Sequence, residues 1–77
     1  MHITIAKVDE VFFDGEAVSM TVPGAEGEMT VLAEHMPLIT TLKQGSIVVR
    51  QDGETQEIFH IESGILEVRR DGATVIL

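Results

Sequence analysis

The segment Pro23–Pro37, PGAEGEMTVLAEHMP, holds the groups best placed to do chemistry, Glu26, Glu28, Glu34 and His35, among two prolines and two glycines. Carboxylates in unlike environments let one site work as both acid and base. In an extended segment Glu26 and Glu28 share a face, but Gly27 between them reads as a turn, and no nucleophile stands in a recognisable setting. No catalytic residue is assigned. A metal needs converging imidazoles, carboxylates or thiolates, whereas His2, His35 and His60 are far apart, with no partner at helical spacing and no cysteine in the chain. Neither metal nor cofactor is expected. Two readings remain open on the residues alone. In one, the segment is a solvated surface turn with Met36-Pro37-Leu38 closing the core. In the other, it is a docking loop, stiffened by Pro and Gly, that presents acidic and apolar groups to another protein.

The elements that must carry this segment are strands. Alternation of period two marks Ile3 and Ile5, then Val18, Met20 and Val22, then Leu66 and Val68 with Ile65 on the opposite face. Asp14-Gly15, Asp52-Gly53 and Asp71-Gly72 each lie between strand-like runs and predict three hairpin turns. The best helical candidate, AEHMPLITTLKQ, is broken by Pro37 and rich in β-branched residues. An all-β domain follows, its apolar faces buried in a two-sheet sandwich or a closed barrel.

The chain has 77 residues, room for one domain over residues 1–77 and little room for a deep cleft. Its 44% apolar and 23% charged residues are those of a globular protein. Thirteen acidic residues against five basic ones give a net charge of −8, which repels a phosphate backbone; nucleic acid is an unsuitable partner and a basic surface a suitable one. Without cysteine, stability rests on packing, in keeping with a reducing compartment. No uncharged apolar run approaches the roughly 18 residues of a membrane span, so a soluble protein is expected. Phe12, Phe13 and Phe59 are the only aromatic residues besides histidine, a poor set for stacking on sugars.

The run VPGAEGEMTVLAEHMPLITTLKQG resembles the hallmark segment of the epsilon subunit of F-type ATP synthase, P-G-x-E-G-E, a short strand, then H-x-P-L-(I/L)-T-x-(L/I)-K-x-G. ESGILEVRRDGATVIL is similar to that family's second signature, G-G-(F/I)-L-E-V, a turn and V-T-V-L, at the expected distance. Thr30 stands where the family usually has glycine, so a more regular strand is expected there. Ser63 replaces the first glycine of the G-G pair. The resemblance implies a two-sheet antiparallel β-sandwich of about ten short strands, without the family's C-terminal helical hairpin.

It also implies a non-catalytic subunit of the central stalk, or rotor, which clamps the gamma subunit onto the c-ring and couples proton flow to ATP synthesis. Such a subunit is peripheral to the cytoplasmic face of the bacterial inner membrane. By position, Pro23, Gly24, Ala25, Glu26, Gly27 and Glu28 correspond to the turn that touches the polar loops of the c-ring, which are basic in the family. His35, Met36, Pro37, Leu38, Ile39, Thr40 and Thr41 correspond to the segment against gamma, with Met36 and Leu38 as apolar anchors. The alternative is a small stand-alone β-sandwich that binds a ligand.

Overall fold

The computed structural model describes residues 1–34 and 36–77, which form nine strands and no helix. They are β1 (His2–Lys7), β2 (Glu10–Glu16), β3 (Ser19–Gly24), β4 (Gly27–Leu32), β5 (Leu38–Leu42), β6 (Gly45–Arg50), β7 (Gln56–Ile61), β8 (Gly64–Arg69) and β9 (Gly72–Ile76). The all-β expectation holds, with nine strands against an expected ten or so.

Hydrogen bonding runs in the order β2-β1-β9-β8-β5-β3-β6-β7, with β4 on the other edge of β3. The sheet curls so that β2-β1-β9-β8-β5 forms one layer and β4-β3-β6-β7 the other. They join where Gly24 of β3 pairs with Leu42 of β5, and beyond Gly45 the chain pairs as β6 with the other half of β3. The turn there is tight: a Cβ on Gly45 would stand 2.8 Å from the Pro23 Cβ. All ladders are antiparallel except β1 with β9.

Between the layers the period-two positions meet. Ile3, Ile5, Phe13, Leu66, Val68 and Val75 from the first pack against Met20, Val22, Val31, Ile47, Val49 and Ile61 from the second. Val18, grouped with Met20 and Val22 by its spacing, precedes β3 and is exposed.

The hairpin expectations divide. Asp52-Gly53 lies in the β6–β7 loop, where the Asp52 carboxylate accepts hydrogen bonds from the amides of Glu54 (2.8 Å) and Thr55 (2.7 Å). The β8–β9 hairpin forms one residue earlier than expected: Arg69 pairs with Gly72, so Arg70-Asp71 makes the turn and Gly72 opens β9. Asp14-Gly15 is no turn: both residues lie inside β2, opposite Thr4 and Ile3. The Asp14 carboxylate is bonded to His2 and Thr4 across the ladder, and the reversal falls at Val8-Asp9. An irregularity at Ile5/Ala6 leaves Phe12 as the extra residue of β2, a bulge that places Phe12 at the surface and Phe13 in the core.

Candidate docking site

The segment Pro23–Glu28 is the tip of the β3–β4 hairpin. Gly24 pairs with Gly27, so the reversal is the two-residue turn Ala25-Glu26. Gly27 has φ +137°, a conformation that favours glycine, and a Cβ on Gly24 would stand 2.7 Å from the Gly27 carbonyl oxygen. Ala25, Glu26, Gly27 and Glu28 are exposed, Pro23 is half-buried and Gly24 buried. Thr30, the departure from the family's glycine, lies in an unbroken β4 opposite Thr21, as expected.

The tip is fastened to the other candidate segment. The Ala25 amide donates to the Thr41 carbonyl at 3.0 Å, and the Lys43 amide to the Pro23 carbonyl at 2.9 Å. From Thr41 the segment runs back along β5. Ile39 faces outward at 73% exposure, Thr40 is half-buried, and Leu38 packs against the core. Pro37 is exposed, and so is Met36, at 80%. Core closure at this edge therefore belongs to Leu38 and not to Met36. His35 lies outside the described residues. Glu34 beside it has φ +65°, uncommon for a residue with a side chain. A hollow of about 450 Å³ here is lined by Glu34, Met36, Pro37 and Arg70.

Register sorts the loops into two ends. Lys7 with Glu10, Ala6 with Ile76, Gly64 with Leu42, Gly24 with Gly27 and Gly45 with Ile61 all lie toward the hairpin tip. That end carries Asp9, Glu10, Glu26, Glu28 and Glu62 against Lys7 and Lys43, so it is acidic. Met36 and Pro37 belong to the other end, about 20 Å away at the rise of a six-residue strand.

Two features escaped the sequence. In one, the His2 ring nitrogens lie 2.5 Å from Asp14 Oδ1 and 3.2 Å from Glu16 Oε2. Both can donate only when the ring is protonated. The hydrogen bond to Asp14 first, then that to Glu16, holds the His2 pKa above its ordinary value. The bond from His2, aided by Thr4, holds that of Asp14 below its own. Correct β1–β2 pairing would have revealed the cluster. The other is a groove of about 670 Å³ between β2 and β7, lined in part by Lys7, Phe12, Ile58, Phe59 and Leu77. Among the described residues no group of three or more His, Cys, Asp or Glu side chains is arranged to hold a metal, and no helix is long and apolar enough to cross a membrane.

The described residues form a curled all-strand sandwich with an acidic hairpin end. The chain belongs to the family of ATP synthase delta/epsilon chains, whose β-sandwich domain it matches over residues 1–77. It is similar to the ATP synthase epsilon chain of Caulobacter vibrioides, 37% identical over 76 residues that cover 99% of this chain and 87% of that one. The epsilon chain of Delftia acidovorans is 34% identical over 76 residues, and there the chain spans only 55% of the relative's length. Among solved structures it superimposes on a chain of the Euglena gracilis mitochondrial ATP synthase (OSCP/F1/c-ring) with a TM-score of 0.88 and 26% identity, covering 96% of this chain and 48% of that one. A chain of the Tetrahymena thermophila central stalk and c-ring assembly shares the fold, with a TM-score of 0.79 at 16% identity and coverage of 99% and 61%.

Proposed function

We propose that this protein is a non-catalytic rotor subunit of an ATP synthase that clamps the gamma subunit onto the c-ring, so that proton flow turns all three together. The supporting observation is that the acidic tip and the Met36–Thr41 segment belong to one body, joined through the Ala25–Thr41 and Pro23–Lys43 backbone bonds. A linker that transmits torque must not shear between its two contacts, and a densely packed sandwich with a cross-bonded corner resists shear. The tip Pro23–Glu28 meets the basic polar loops of the c-ring, where complementary charge favours encounter and register over raw affinity. Its rim pairs are individually weak, about 0–1 kcal/mol each. His35–Thr41 lies against gamma, where Ile39 and Met36 offer exposed apolar groups. The subunit sits at the cytoplasmic face of the bacterial membrane.

The ligand-binding alternative has the groove between β2 and β7 in its favour. The two readings separate on mixing the protein with a cognate gamma subunit at micromolar concentration. A one-to-one complex on gel filtration is expected; separate elution overturns the clamp reading.

A further inference from the structure

We propose that Gly45, which lies outside both contact segments, is a positioning residue of the c-ring contact: it is the seat on which Pro23 rests, and through Pro23 it fixes the angle at which the acidic tip leaves the sandwich. This rests on the reading that the tip meets the c-ring, and says what aims it.

The tip needs aiming because it hangs from one strand. Among the described residues β4 is laddered to β3 alone, and a two-stranded hairpin has little stiffness of its own. Its direction is therefore that of β3, which changes neighbours partway along. Ser19, Met20 and Thr21 are paired with β6 of the second layer, whereas Gly24 is paired with Leu42 of the first. Pro23 stands in the gap between these two ladders. It has no amide hydrogen to donate, and its carbonyl accepts from the Lys43 amide at 2.9 Å. What else holds Pro23 is the fit of its ring against Gly45.

Neither side of that fit yields easily. A Cβ on Gly45 would stand 2.8 Å from the Pro23 Cβ and 3.1 Å from its Cγ. Carbon atoms in ordinary contact are about 3.5–4.0 Å apart, so a side chain at this position would have to push Pro23 away by about 0.7 Å or more. Pro23 cannot answer by changing rotamer, because its ring is tied into the backbone; the displacement enters β3 and grows toward Glu26. Gly45 cannot retreat either. It is paired with Ile61, Ser46 beside it bonds His60 at 2.8 Å, and Ile47 is in the core. Of the glycines outside the tip, only Gly45 has a tip residue as the nearest neighbour of its would-be Cβ.

The contact so aimed is sensitive to angle. Glu26 and Glu28 are exposed on the tip, and complementary charges set register, so turning the hairpin carries both carboxylates out of place together. The segment assigned to gamma is held differently: Leu38 to Leu42 are laddered to β8 along their whole length.

The test compares Gly45→Ala with Gly72→Ala, whose Cβ would meet the His2 backbone at the opposite end of the sandwich. Affinities for isolated c-ring and for purified gamma are measured beside the melting temperature. Gly45→Ala is expected to bind the ring about tenfold or more weaker and gamma within about threefold of wild type, while Gly72→Ala, with an equal or larger fall in melting temperature, keeps its affinity for the ring. If Gly45→Ala stays within about threefold of wild type on the ring, Gly45 does not aim the tip, although the tip reading stands. If both glycine variants lose ring affinity in step with melting temperature, the cause is a general loss of stability and the proposal is overturned. If wild type itself does not bind the ring, the tip reading fails and takes the proposal with it. Pro23→Gly empties the seat from the other side without a clash and covers the case in which Gly45→Ala does not fold. In that variant the Ala25 and Lys43 amides, whose bonds anchor the tip, should exchange hydrogen about tenfold faster, and unchanged exchange overturns the proposal.

Discussion

Phe13 on β2 and Phe59 on β7 meet edge to face, ring centroids 6.2 Å apart and planes at 70°, although their strands stand at opposite ends of the sheet order. No ladder joins these ends, so the contact is part of what holds the curl shut. Phe13 is buried, and Phe13→Ala is expected to cost about 3–5 kcal/mol, a large share of the roughly 4–12 kcal/mol available to a chain of this size. Urea unfolding measures it. A double-mutant cycle with Phe59→Ala should return a coupling of about 0.5–1.5 kcal/mol; no coupling would mean the rings pack independently.

Gly72 is required by proximity and not by turn chemistry. A Cβ there would stand 2.2 Å from the His2 carbonyl oxygen, on the parallel β1–β9 ladder. Gly72→Ala is expected to destabilise by on the order of 1–3 kcal/mol, because backbone has to move. Gly53, with nothing within 4 Å of its would-be Cβ, should accept alanine within about 0.5 kcal/mol. Thermal melts of the two variants give the comparison.

The His2 cluster sets a pH dependence. Its pKa is raised by Asp14 first and Glu16 second, so the stability it adds is fully present below the unfolded value of about 6.5 and is lost as pH rises through the folded pKa. Asp14, held low, loses its contribution only as acid protonates it. The melting temperatures of wild type and His2→Gln should therefore differ most near pH about 5–6 and converge toward about 9. A gap that is constant with pH would show that the ring acts by packing alone.

Glu28→Lys reverses a charge at the exposed tip, away from the Met36 end of β5. Attachment to isolated c-ring should weaken severalfold and more steeply at low salt, while affinity for gamma stays within about twofold. Equal losses for both partners would place Glu28 outside the ring contact.

The buried face was legible wherever alternation was strict: Ile3 with Ile5 and Leu66 with Val68 are inside, and Ile65 is outside, as their spacing demanded. The first hairpin was not. Asp14-Gly15 carries turn chemistry, but its carboxylate is taken by His2 and Thr4 across a ladder, and Val8-Asp9 makes the reversal without glycine. Of the two readings left open for Met36, core closure fails: an apolar residue next to proline looks like core, but β5 begins only at Leu38 and Met36 is exposed.

The parallel β1–β9 ladder also orders events in time. β1 is bonded to β9, about 65 residues further along the chain, and β9 must slot between β1 and β8 before the first layer exists. A nascent β1–β2 hairpin leaving the ribosome therefore waits with one bare edge until residues 72–76 emerge, and the layer cannot close before them.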